Sequence, residues 1–229
     1  MKKLLTCVAL LMCTIAWCQT KQQRTVADFT AVSGATGIRV ELTQGTENAV
    51  WVSASDEKYL ANIKTGVENG MLKIYYDNKD KMINKDHHIK LEVFVTYKSI
   101  NKLAGSSGSM ITAKNAINAS AFYLDMSSGS QFTGEIKATD LKIDLSSGAM
   151  SKVSGSATDA RADVSSGGIF TGSDLSTETC KASASSGGIL KIGVSKKLTA
   201  NASTGGIVHY KGNPEVEKSV SLGGIVSKI

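Results

Sequence analysis

Three aspartates, Asp125, Asp144 and Asp163, occupy one recurring place in the second half of this 229-residue chain. Two residues ahead of the same place stand Tyr123, Lys142, Arg161 and Lys181. Carboxylates repeated in register supply the hard oxygen ligands that Ca²⁺ takes, as on β-helical enzymes that cleave acidic polysaccharides. The competing reading is a solvated charge lattice. Like charges stacked directly repel, and an opposite column beside them relieves this. Exposed pairs of that kind contribute only ~0–1 kcal/mol each. Alternating signs also lower cation affinity and weaken the field that would steer a polyanion. The lattice is therefore preferred. No catalytic, metal or cofactor-binding residue is assigned, and Tyr123, Asp125, Lys142, Asp144, Arg161, Asp163 and Lys181 are expected to form a contact surface.

The remaining reactive side chains are isolated. Asp86-His87-His88 is the only histidine cluster, and neighbours on a strand point to opposite faces. No further ligand stands at metal-site spacing from it. His209 is alone. Cys180 falls at an inward position and reads as a small buried apolar residue, with no base or electropositive setting to activate it.

These columns exist only because the chain repeats itself. The phrase Ser-Ser-Gly ends at Gly108, Gly129, Gly148, Gly167 and Gly187, then decays to Ser-Thr-Gly at Gly205 and Ser-Leu-Gly at Gly223. Successive glycines lie 21, 19, 19, 20, 18 and 18 residues apart. So steady a period marks stacked structural units. Ahead of each phrase, apolar residues alternate: Phe122, Leu124 and Met126, then Leu141, Ile143 and Leu145, and so on to Leu198, Ala200 and Ala202. A period of two is one face of a strand. Stacked unit on unit, these positions become inward ladders, with Lys218 alone out of pattern. About 20 residues are too few for a strand plus a full helix, so the expected fold is all-β. It is a single-stranded, right-handed parallel β-helix, a β-solenoid whose coils stack ~4.8 Å apart. The seven glycines are its structural corners, since glycine reaches backbone conformations that other residues avoid.

Residues 1–18 read as a secretory signal peptide: Lys2 and Lys3, an apolar run over residues 4–15, then Ala16-Trp17-Cys18. Trp17 stands where a lipoprotein signal wants a small residue, so a lipid anchor through Cys18 is not expected. The apolar run is too short to span a membrane and no second one follows, so the mature chain is not expected to be an integral membrane protein. Removal of the leader takes three of the four cysteines and lowers the formal charge from +6 to +4. That excess, on an exported chain, points away from nucleic acid as a partner.

The rest is expected to be one β-helical domain over residues 19–229, with a less regular region over 26–103 and regular repeats over 104–229. In the first region, residues 37–42 alternate as a strand, and a helical turn near residues 56–61 is capped by Ser55 or Asp56. Asn69-Gly70 signals a hairpin between 63–67 and 71–76. One of Tyr75 and Tyr76 must then point inward.

The opening Phe29-Thr30-Ala31-Val32-Ser33-Gly34, the stretch from Gly37 through Gly45, the segment Asn69-Gly70-Met71-Leu72-Lys73-Ile74 and the Ser-Gly repeats together resemble the head GIN domain family of putative auto-transporter adhesins. The resemblance covers nearly the whole mature chain. It implies a β-helix on an exported bacterial protein with a surface or adhesive role, and it carries no catalytic residues. A chain ending at Ile229 is expected to lack a barrel with which to export itself.

Together these readings give an exported, non-enzymatic binding module in the periplasm or at the outer cell surface, without cofactor. Its expected partner is a glycan or a cell-envelope macromolecule. Two alternatives stay open: a polysaccharide lyase or hydrolase using the aspartate column, and a structural envelope protein without ligand. The open edge of the last coil, guarded by Lys218 and Lys228, is expected to favour a homo-oligomer through the C-terminal end.

Overall fold

The computed structural model describes residues 21–78 and 89–229. The leader, Cys18 and the Asp86-His87-His88 cluster lie outside the described residues. Eight strands precede the regular repeats: β1 (Lys21–Arg24), β2 (Ala31–Gly34), β3 (Arg39–Gln44), β4 (Ala49–Ala54), β5 (Ile63–Glu68), β6 (Met71–Tyr76), β7 (Leu91–Tyr97) and β8 (Lys102–Gly105). Then come β9 (Met110–Ala113), β10 (Ile117–Met126), β11 (Gln131–Leu145), β12 (Met150–Val164), β13 (Ile169–Ala184) and β14 (Ile189–Ala202). The chain closes with β15 (Ile207–Lys211), β16 (Glu215–Val220) and β17 (Ile225–Lys228). The fold is a β-solenoid of about seven turns, about 19 residues apart.

From β8 onward each coil pairs in parallel with the next, Leu141 beside Ala160 and Ala160 beside Cys180. The expected ladders form, and Leu103, Leu124, Ile143, Ala162, Ala182 and Ala200 are all fully buried. A second ladder runs on the other side of the corner through Ile111, Phe132, Ser151, Phe170, Leu190 and Val208. It carries Phe132 and Phe170, two of the largest fully buried side chains.

The corners are type I′ turns, in which both central residues have positive φ. Gly148 has φ 72° and Ser147 φ 51°, and Ala149 N–H donates to Ser146 O at 3.0 Å. The same pair of angles recurs at the other six phrases. The residue before each glycine therefore shares the unusual conformation, which composition alone did not indicate. A Cβ added at Gly148 would meet nothing within 4 Å, so the backbone angle, not space, selects glycine there. The position after the corner glycine is the crowded one. It changes from Ser109, Ser130 and Ala149 to Gly168, Gly188, Gly206 and Gly224, and a Cβ at Gly206 would lie 2.2 Å from Ala184 O.

Repeat spacings of 19 and 20 residues coexist because the difference is absorbed away from the corner. The β12–β13 register shifts by one residue between Lys152 and Ser154 and holds the new offset as far as the next corner.

The N-terminal region is built on the same plan. Thr36 (φ 59°) and Gly37 (φ 67°) make an earlier corner, and β2 and β3 stack directly on β8 and β9. Residues 45–101 leave this coil and return beyond it. There β6 and β7 pair with the far edges of β2 and β3. Antiparallel β5, β4 and β1 then cover that end, with a 3₁₀ turn, Glu57–Asn62, capped by the Asp56 carboxylate. The Asn69-Gly70 hairpin forms as its sequence demands, leaving Tyr76 inward and Tyr75 exposed. No helix among the described residues is long and apolar enough to cross a membrane.

Candidate contact wall before the corners

The strand segment that leads into each corner exposes three outward positions per coil, because successive side chains alternate. Register places Tyr123, Lys142, Arg161, Lys181, Thr199 and Glu217 in one column, preceded by Lys102. Asp125, Asp144, Asp163, Ser183 and Asn201 form the column beside it. All seven residues singled out in the sequence thus lie on one wall.

Acid and base pair across the columns, within a coil for Lys142 and Arg161 and between neighbouring coils for Lys102. Lys142 Nζ lies 2.8 Å from Asp144 Oδ2, Arg161 Nε 2.9 Å from Asp163 Oδ2, and Lys102 Nζ 3.6 Å from Asp125 Oδ2. These cations sit where a metal would have to compete for the carboxylate oxygens. Among the described residues, no group of three metal-ligating side chains comes together.

Tyr123 is held from both neighbouring coils. Lys102 lies over its ring at 4.7 Å and Lys142 at 4.3 Å, and its hydroxyl donates to Asp144 Oδ2 at 2.6 Å. Burial first, and then this hydrogen bond, push the phenol pKa well above its ordinary value. Its ring is therefore engaged within the wall and is not a free platform for stacking a sugar.

A third outward column escaped the sequence reading: Ala121, Asp140, Asp159, Thr179 and Lys197. Its signal was available, since it stands two residues before the basic column in every repeat. Thr179 Oγ1 donates to Asp159 Oδ1. The basic column thus runs between two acidic ones. Along it lies an open trough of about 620 Å³, bounded by Tyr123, Asp140, Lys142, Asp159, Arg161 and Lys181. Lys181 faces Ser183 where its counterparts face aspartate, and neither the Lys181 nor the Asp140 side chain makes a hydrogen bond or ion pair among the described residues.

Cys180 is buried in the inward ladder, and burial pushes its thiol up to about 12. It has no thiolate character at neutral pH. His209 Nδ1 is 2.8 Å from Ser227 Oγ on another wall.

A family model described as putative auto-transporter adhesin, head GIN domain, matches residues 28–214. Several solved bacterial structures share the fold. A putative adhesin from Bacteroides fragilis superposes with a TM-score of 0.80 at 16% identity, over 92% of this chain and 97% of that one. A putative adhesin from Parabacteroides distasonis gives 0.70 at 18% identity, over 92% and 97%. A protein from the same species, described as a putative lipid binding protein, gives 0.69 at 19% identity, over 92% and 96%. No curated protein matches the chain.

Proposed function

Because the chain belongs to the putative auto-transporter adhesin, head GIN domain family, we propose that it is an exported, non-enzymatic binding module whose wall before the corners contacts a glycan or another envelope macromolecule. One observation carries this reading: the wall holds a trough with Lys181 and Asp140 unspent beside cations and carboxylates already locked in pairs. A paired lattice fixes shape and presents little net field, while the two free charges remain to select a ligand. The description of both compared adhesins, and of the family, supports a contact role over catalysis. We place the protein in the periplasm or on the outer surface, reached through the leader at residues 1–18.

A glycan array and an envelope-fraction pull-down test this, each run with wild type and with Lys181→Glu plus Asp140→Lys. Wild type is expected to retain a ligand that the double variant loses at an unchanged melting temperature. Retention by both forms would move the site elsewhere, and retention by neither would leave a scaffold without ligand. New reducing or unsaturated ends on acidic or neutral polysaccharides would establish the enzyme instead. Proteolysis of whole cells separates surface from periplasm.

We also propose self-association through the last coil. Among the described residues, strands β16 and β17 pair on one side only, and Val220 and Ile225 are about half exposed. Lys218, at an inward ladder position, limits how closely two such edges approach. Light scattering across a wide concentration range decides the matter. A strictly monomeric protein throughout ends this part of the proposal.

A further inference from the structure

On the strand segment that leaves each corner, the outward positions build a different surface. Met150, Ile169, Ile189, Ile207 and Ile225 stand in one column, each paired in register with the next. They point away from the interior, whose ladder on the same strands is Ser151, Phe170, Leu190, Val208 and Val226. Met150 is 41% exposed, Ile169 36% and Ile225 49%. Leu222, at the adjoining corner, is 79% exposed and extends the apolar strip at one end. Ile189 and Ile207, between Ile169 and Ile225 in the file, are half-buried. Five large apolar side chains in unbroken file on an outward wall mark an interaction surface rather than scattered exposure.

The neighbouring column gives the sign of the partner. Beside the aliphatic file run Lys152, Thr171, Lys191, His209 and Ser227, without a carboxylate. Neither Lys152 nor Lys191 makes an ion pair among the described residues, unlike Lys102 and Lys142 on the wall before the corners. On the other flank the corners are neutral, Ser166-Gly167 and Ser186-Gly187 among them. An aliphatic ridge with unneutralised lysines along one side matches the boundary of an anionic lipid layer, where apolar side chains enter the acyl region and lysines meet the headgroups. A second copy fits less well. A single file of partly exposed side chains falls short of the ~800 Å² per partner that a stable protein interface buries. We propose that this wall docks on an anionic membrane surface, leaving the charged wall on the other side of the corners free.

Residues 1–18 contain an apolar run that partitions into lipid by itself, so total vesicle binding by the full chain is not the readout. Peroxide oxidation of Met150, followed by mass spectrometry against Met71 as internal reference, reports this wall alone. Vesicles of phosphatidylglycerol and phosphatidylethanolamine are expected to slow Met150 oxidation several-fold, and phosphatidylcholine vesicles to leave it unchanged. Replacing both Lys152 and Lys191 by alanine should raise the lipid concentration needed for protection about 30-fold, some five-fold per lysine. Ile169→Thr with Ile189→Thr keeps β-branched side chains at outward strand sites, and so keeps the fold while losing the protection. Equal Met150 oxidation with and without anionic vesicles overturns the proposal. So does protection that survives the isoleucine substitutions, or that rises with protein concentration alone, which would make a second copy the occupant.

Discussion

The amide of Gly167 donates to the carbonyl of Ser186 at 3.1 Å, joining one corner to the next along the solenoid axis. The same bond runs from Gly37 to Ser107, from Gly108 to Ser128, and onward to Leu222. A rail of hydrogen bonds thus fixes the corners relative to one another. Because each coil turns at the same place, outward residues with the same offset from the corner must stand in file. The charged wall and the aliphatic wall both follow from this.

Two glycines beside the rail should respond differently to the same change. Gly148→Ala introduces a methyl group into open space at a positive φ, and should cost ~1–2 kcal/mol. Gly206→Ala drives its methyl against Ala184 O, so the coils must separate, at a cost of ~3 kcal/mol. Urea midpoints of the two variants check the order. A larger loss at Gly148 would show that the corner angle, not coil spacing, limits stacking.

Leu222 holds φ 48°, a region that a branched side chain tolerates poorly, and it is mostly exposed. Leu222→Gly or Leu222→Asn should therefore stabilise the last corner by ~1 kcal/mol. A lower melting temperature in both variants would mean that Leu222 makes a contact worth more than its strain.

The Tyr97 hydroxyl is buried without a hydrogen-bond partner among the described residues, and burial pushes its pKa from 10.0 to about 12. Between those values the native state holds a proton that the unfolded chain releases. This contribution is fully present below pH 10 and is lost as pH rises toward 12. Tyr97→Phe should reduce the fall in melting temperature across that interval. At pH 7 it should be at least as stable as wild type, since no hydrogen bond is lost.

Asp144 accepts from Tyr123 and faces Lys142, and Asp163 faces Arg161. Millimolar Ca²⁺ should leave the melting temperature unchanged in wild type and in Asp144→Asn with Asp163→Asn. The double substitution itself should cost no more than ~1 kcal/mol per pair, as partly exposed ion pairs do. A Ca²⁺-dependent rise in wild type that the double variant lacks would restore the metal site.

Much of the architecture was legible because its causes are local. A Ser-Ser-Gly phrase marks a turn wherever it occurs, and strict alternation such as Leu141, Ile143 and Leu145 assigns each side chain to one face. Counting from the phrase was enough to place Asp144 over Asp163 and Lys142 over Arg161 before any coordinates. Asp140 and Asp159 were equally countable, and were missed by stopping one alternation short. The corner at Thr36-Gly37 was not countable, because residues 45–101 intervene before the next coil and remove its period. The absence of an aspartate beside Lys181 was countable in the same way, Ser183 standing in its place. Only the stacked structure decided that Tyr123 is clasped by lysines from the coils on either side, and that Ile169 and its neighbours share a wall with unpaired lysines. Those relations are set by which coil lies beside which, at separations of a whole repeat or more along the chain. Pairing at that range depends on the assembled solenoid, whereas a turn or an alternating strand carries its instruction within a few residues.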